Sequence, residues 1–197
     1  MRALFASLLL LAACGGHSKQ PTPGNVAGGG GGPSIRSIDW ANRTYAGGDT
    51  GSVTVKDGEA ELEIDPDMPE IHGWFNVGAP IYGDVDGDGV EDAIVITSYN
   101  GGGTGTFTSG EVYALRAGAS EPVKLGEIPG GDRGDGGLSD ISIEGGKILV
   151  ERNLSTDDDG ACCPSKLVRE VWHWDGSTFV EDEAARQTVD NPDFQRD

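Results

Sequence analysis

The chain has 197 residues, 33 of them glycine, and 33 acidic side chains against 14 basic ones, a formal net charge of −19. An acid excess of that size opposes binding to nucleic acid and to anionic lipid head groups. It suits cations, basic partners or simple solubility, and the stretch from Ile35 onward is long enough for a single domain.

The chain opens with Met1-Arg2, an apolar run from Ala3 to Leu11, and then Ala12-Ala13-Cys14. One positive charge, a short apolar stretch and small residues before a cleavage point predict an export signal over residues 1–13. The apolar run is too short to span a bilayer as a helix, which takes roughly 20 residues. Leu11-Ala12-Ala13-Cys14 resembles a bacterial lipobox. That resemblance implies cleavage before Cys14, lipid on its sulfur, and a membrane as partner through the N-terminal anchor. Residues 14–34 are rich in Gly and Pro, with an unbroken run from Gly28 to Gly32. Such a tract buries too little apolar surface to offset its ordering entropy, so it is expected to be a flexible tether with an r.m.s. reach of roughly 25 Å.

From residue 35 to 197 the periodicity is that of strands. Ser52 to Lys56 alternates, Asp57-Gly58 supplies a turn, and Leu62 and Ile64 alternate again, which predicts a hairpin. Ala93 to Ile96 is nearly continuous apolar, as in a central strand buried on both faces. Val112 to Leu115 and Val123 to Ile128 read as further strands. Ile141 and Ile143, the turn Glu144-Gly145-Gly146-Lys147, and Ile148 to Val150 predict a second hairpin. Leu167 to Trp174 turns at Asp175-Gly176 and returns through Phe179-Val180, with Trp172 and Trp174 on one face and His173 on the other. The short polar stretch from Glu181 to Gln187 is the helical expectation. Around nine or ten short strands with glycine-rich turns predict an all-β domain: a sandwich, a barrel or a propeller-like sheet.

One stretch carries chemistry. Counting Asp84 as position 1, acidic side chains fall at 1, 3, 5 and 9 (Asp84, Asp86, Asp88, Asp92), with Gly89 at 6 and Val90 at 7. Alternate carboxylates converge on one centre when the chain curls tightly, and a glycine at position 6 permits the curl. A backbone carbonyl at Val90 needs no particular side chain. The donors are all oxygen, which suits Ca²⁺ with its 6–8 ligands better than Mg²⁺ with its stricter octahedron. Position 12 is Val95, so this is not an EF-hand. The stretch resembles the calcium loop of FG-GAP repeats, Asp-x-Asp-x-Asp-Gly-x-x-Asp before a strand, matched by Asp84, Asp86, Asp88, Val90 and Asp92. Those repeats come in tandem and here there is one copy, so the likeness covers the loop and its strand. The pair Asp84/Asp86 also resembles the Asp-x-Asp of haloacid-dehalogenase-type phosphotransferases. That chemistry implies a Mg²⁺-dependent phosphatase or hydrolase on a parallel α/β sheet.

Other motifs point less far. Asn100 to Phe107 has no lysine after its glycines and reads as a mobile hairpin loop. Asp157-Asp158-Asp159-Gly160 reads as a solvated acidic loop, with a second cation site as the alternative. His72 and His173 have no nucleophile or metal companion in sequence. Cys162-Cys163 reads as a vicinal disulfide forming a structural turn in an oxidising compartment. Two reduced thiols there would instead serve a soft metal such as Cu(I), which is the redox or copper-handling alternative. Val55 to Gly58, Gly83 to Asp92, Gly102 to Phe107, Gly131-Asp132-Arg133, Cys162 to Ser165 and Trp174 to Gly176 together resemble a group of small exported bacterial domains and lipoproteins without an established activity. The expectation is a lipid-anchored cell-envelope protein, a calcium-stabilised binding or accessory module without catalytic activity.

Overall fold

The computed structural model describes residues 33–46, 51–132, 136–160 and 163–194. The expected signal segment, Cys14, nearly all of the tether and Cys162 lie outside them. Thirteen strands run through the described residues: β1 (Thr44–Ala46), β2 (Ser52–Thr54), β3 (Glu59–Glu63), β4 (His72–Val77), β5 (Ile81–Gly83), β6 (Asp92–Asn100), β7 (Phe107–Ala114), β8 (Val123–Gly131), β9 (Leu138–Glu144), β10 (Lys147–Leu154), β11 (Lys166–Trp174), β12 (Phe179–Glu181) and β13 (Gln187–Asp190). The architecture is all-β, as expected. The strands form three antiparallel sheets: the pair β1-β2, a six-stranded sheet β3-β4-β6-β7-β8 with β5 also on β6, and a five-stranded sheet β12-β11-β10-β9 with β13 also on β11. No helix among the described residues is long and apolar enough to cross a membrane.

The apolar run of β6 has a plain cause. Successive side chains point to opposite faces of a sheet, so a strand covered on both faces loses its polar alternation. Ala93 and Val95 pack with Trp40, Tyr45, Val53, Phe75 and Tyr113 on one face. Ile94 packs with Val112, Ile128, Ile141, Ile148 and Val150 on the other, which is the seam with the five-stranded sheet. Ala93, Ile94 and Val95 are all fully buried.

Two expectations are corrected. The turn at Asp57-Gly58 forms, with positive φ at both residues, but only Lys56 and Glu59 bridge across it. Val55 donates instead to the Arg43 carbonyl, so β2 stays with β1 while β3 pairs with β4. The expected helix over Glu181 to Gln187 is a single 3₁₀ turn at Glu183–Ala185, after which the chain re-enters the sheet as β13. Strands β12 and β13 pair with successive halves of β11, just as β5 and β4 pair with successive halves of β6.

Candidate metal centre

The acid stretch is the loop of the β5–β6 hairpin. Its last ladder pair is Gly83 with Asp92, and everything between them is loop. Val85, 2% exposed, plugs the second core cluster and anchors the loop's base. Gly83 lies against Ile143, which a Cβ would approach to 2.8 Å, so the loop enters flush with β9.

The carboxylates organise their own loop. Asp84 accepts from the Gly87 amide at 2.8 Å and from the Gly89 amide at 3.0 Å. Asp86 accepts from Asp88 at 3.1 Å, and Asp88 from Val90 at 2.8 Å, each bridging two residues on as Asx turns do. Gly87 and Gly89 sit at φ 79° and 83°, the left-handed region that lets alternate side chains face one centre. Asp84, Asp86 and Asp88 each bring an oxygen within 4.8 Å of the others, the one such metal-type cluster among the described residues.

Asp92 and Val90 stand apart from that cluster. Asp92 is 1% exposed, and one of its oxygens accepts from the amides of Val85 at 3.0 Å and Asp86 at 3.3 Å. It works as a fastener beneath the loop. Val90 lies on the rim with an exposed side chain, its amide given to Asp88.

Two arginines complete the site, and sequence reasoning missed both. Arg116 donates from one nitrogen to Asp86 and Asp88, at 2.8 Å each. The side chain of Asp86 is only 4% exposed, so this guanidinium is the counter-charge of a nearly buried carboxylate. Arg36 makes a two-pronged pair with Glu91 at 2.7 and 2.8 Å and lies 4.3 Å over the ring of Tyr82. Hydrogen bonding to Arg36 holds the Glu91 carboxyl below its usual range. Like-charge repulsion among four aspartates calls for a cation. In the described structure the nearest one belongs to the chain itself.

Burial pushes the Asp92 carboxyl up to about 6; the Val85 amide pulls against the rise and the charges of Asp86 and Asp88 add to it. A raised carboxyl makes the folded state hold a proton that the unfolded chain has released. Its stabilising contribution is therefore complete below the unfolded value near 3.8 and lost as pH rises through about 6. In chelator, the stability difference between the parent and Asp92→Asn is expected to move by about 2–3 kcal/mol between pH 4 and 7, in favour of the parent at the acid end. Urea titrations at four pH values measure it; a flat difference would remove Asp92 as the titrating group.

Beside the loop runs a groove of about 690 Å³, bordered by Asp84, Asp86, Lys147, His173 and Trp174. The β9–β10 turn brings Lys147 there and β11 brings His173, so this histidine borders the same groove as the acid loop although the two lie far apart in sequence. His72 instead pairs with Glu61 at 2.9 Å. Asp159 closes its own loop by accepting from the amides of Thr156 and Ser165, which hold its carboxyl down at about 2. Asn100 bonds the carbonyls of Gly103 and Gly105 and the amide of Gly102, so the β6–β7 loop is internally tied. Cys163 is disulfide-bonded. The vicinal pairing expected with Cys162 falls outside the described residues.

No protein-family model, curated protein or solved structure matches the chain.

Proposed function

We propose that the chain is a lipid-anchored cell-envelope protein whose β domain is stabilised by calcium at the β5–β6 loop and which acts as a binding or accessory module without catalysis. The observation that carries the calcium reading is the convergence of Asp84, Asp86 and Asp88 oxygens within 4.8 Å on a loop that feeds the most buried strand. The donors are hard oxygens, as Ca²⁺ prefers, and amides already hold Asp84 and Asp92 in place. Calcium would draw on Asp84, Asp86 and Asp88, with a carbonyl at Val90 and the second oxygen of Asp92 available if the loop tightens. Arg116 has to release Asp86 and Asp88 as the ion enters. The ion supplies charge neutralisation and cross-linking of the loop. The anchor reading rests on the sequence of residues 1–14.

Thermal melts of the whole chain in calcium, magnesium and chelator test the metal reading. Binding to the folded state alone adds RT ln(1 + [L]/Kd), about 2.7 kcal/mol at a hundredfold excess over Kd. The melting temperature is expected to rise in calcium, to stay put in magnesium, and to lose its calcium response in Asp86→Ala/Asp88→Ala. An unchanged parent melt refutes the metal reading. Cys14→Ser is expected to release the protein from the membrane fraction in which the parent sediments; co-sedimentation of the variant refutes the anchor.

A further inference from the structure

Strand β3 ends the six-stranded sheet, with β4 on one side and, among the described residues, no strand on the other. Its register sets Glu59, Glu61 and Glu63 opposite Asn76, Trp74 and His72, so these six side chains share one face of the sheet. Leu62 turns the other way, into the core. Farther in, the shared face carries Ile94 and Ile96 and is covered by the five-stranded sheet. At the β3–β4 corner that cover has run out. Trp74 is 36% exposed there, and the side chain of Glu61 is 75% exposed.

The backbone of β3 is equally open. The Val77 amide bonds the Gly58 carbonyl, and the Glu59 amide and carbonyl both bond Lys56 on the outer side. Antiparallel ladders alternate, so residues 58, 60 and 62 face β4 while 59, 61 and 63 face outward. Lys56 occupies Glu59. The N–H and C=O of Glu61 and Glu63 point to the free edge.

We propose that this edge is a docking site for an extended basic segment of another protein, which adds as a strand beside β3 with Lys or Arg at alternate positions opposite Glu61 and Glu63. Main-chain bonds to the edge supply register and affinity, and every second side chain of the incoming strand falls on the glutamate face. The same row disfavours a second copy of this chain, because pairing β3 with β3 sets like charges against one another. Trp74, one strand further in, offers an aromatic floor to the long cationic side chains. The proposal is independent of the metal reading, and its test is run in chelator so that the two fail separately.

The probe is a peptide of about eight residues alternating Lys and Thr, a length that covers one strand. With the whole chain, amide exchange is expected to slow at Glu61 and Glu63 on binding. Affinity is expected to fall by about tenfold or more in Glu61→Lys/Glu63→Lys, and by less than about twofold in Asp157→Lys/Asp158→Lys, an equal charge change on an exposed loop. A peptide of the same charge, N-methylated at alternate residues on the pairing edge, is expected to lose both the protection and the affinity, and this arm needs no altered protein. Equal losses in the two double variants, undiminished binding of the methylated peptide, or absence of protection at Glu61 and Glu63 would each overturn the proposal in favour of diffuse attraction between a polycation and an acidic protein.

Discussion

Glu170→Ala is expected to cost about 3–5 kcal/mol of unfolding free energy, the cost of stripping one partner from a buried ion pair. The Glu170 side chain is 2% exposed and accepts from Arg152 Nε at 2.9 and 3.0 Å and from Trp172 Nε1 at 3.0 Å; Arg186 lies at 3.1 Å. Arg152 is itself only 13% exposed and reaches across to the carbonyls of Pro129 and Gly130 on β8. The carboxylate therefore holds the guanidinium that ties the five-stranded sheet to the six-stranded one. Without it, a positive charge stays behind in a space that water enters poorly. Urea denaturation of parent and variant reads the effect. A loss below about 1 kcal/mol would show that Arg152 relaxes to solvent and that the tie between the sheets is weak.

Ile94→Ala is expected to cost about 2–5 kcal/mol, with the upper half of that range the natural expectation. Ile94 is fully buried and stands between Ile81 on β5 and Val112 on β7, beneath the second sheet. A strand hydrogen-bonded on both sides and covered on both faces collapses poorly around a deleted side chain, so the cavity term adds to the transfer term. Val90→Ala, four residues earlier on the exposed rim of the loop, is expected to stay within about 0.5 kcal/mol. Comparable losses at the two positions would mean that β6 is not the rigid centre described above.

What the sequence revealed and what it hid divide along physical lines. The burial of β6 was legible because its polar alternation is missing. The β9–β10 hairpin was legible because Gly145 and Gly146 supply the two positive φ angles that a tight turn needs, 57° and 77°. The acid loop was legible because its spacing is local. Strand β4 was not, since Gly73 interrupts its apolar pattern; a Cβ there would lie 2.5 Å from the Asn100 carbonyl, so the residue answers to a strand 27 positions away. Strand β13 was hidden by its polar composition, which reflects its edge position rather than a helix. The arginines at the acid loop were out of reach for the same reason. Arg116 is 28 residues from Asp88 and Arg36 is 55 from Glu91, and no local pattern announces such a pairing. Short-range geometry writes itself into spacing, whereas charge compensation across the fold does not.

The strand order has a kinetic consequence. Strands β6, β7 and β8 pair in succession, as do β9, β10, β11 and β12. Each series is a meander whose pairing strands follow one another directly in the chain, so little loop entropy is lost before a contact forms. Pairing between strands adjacent in the chain lowers the relative contact order, and lower contact order accompanies faster folding. The two meanders meet along Ile94, Ile128, Ile141 and Ile148, residues brought from both sides of the seam. The slow part of acquiring this structure is then the docking of two largely self-contained ribbons, rather than a search for distant strand partners.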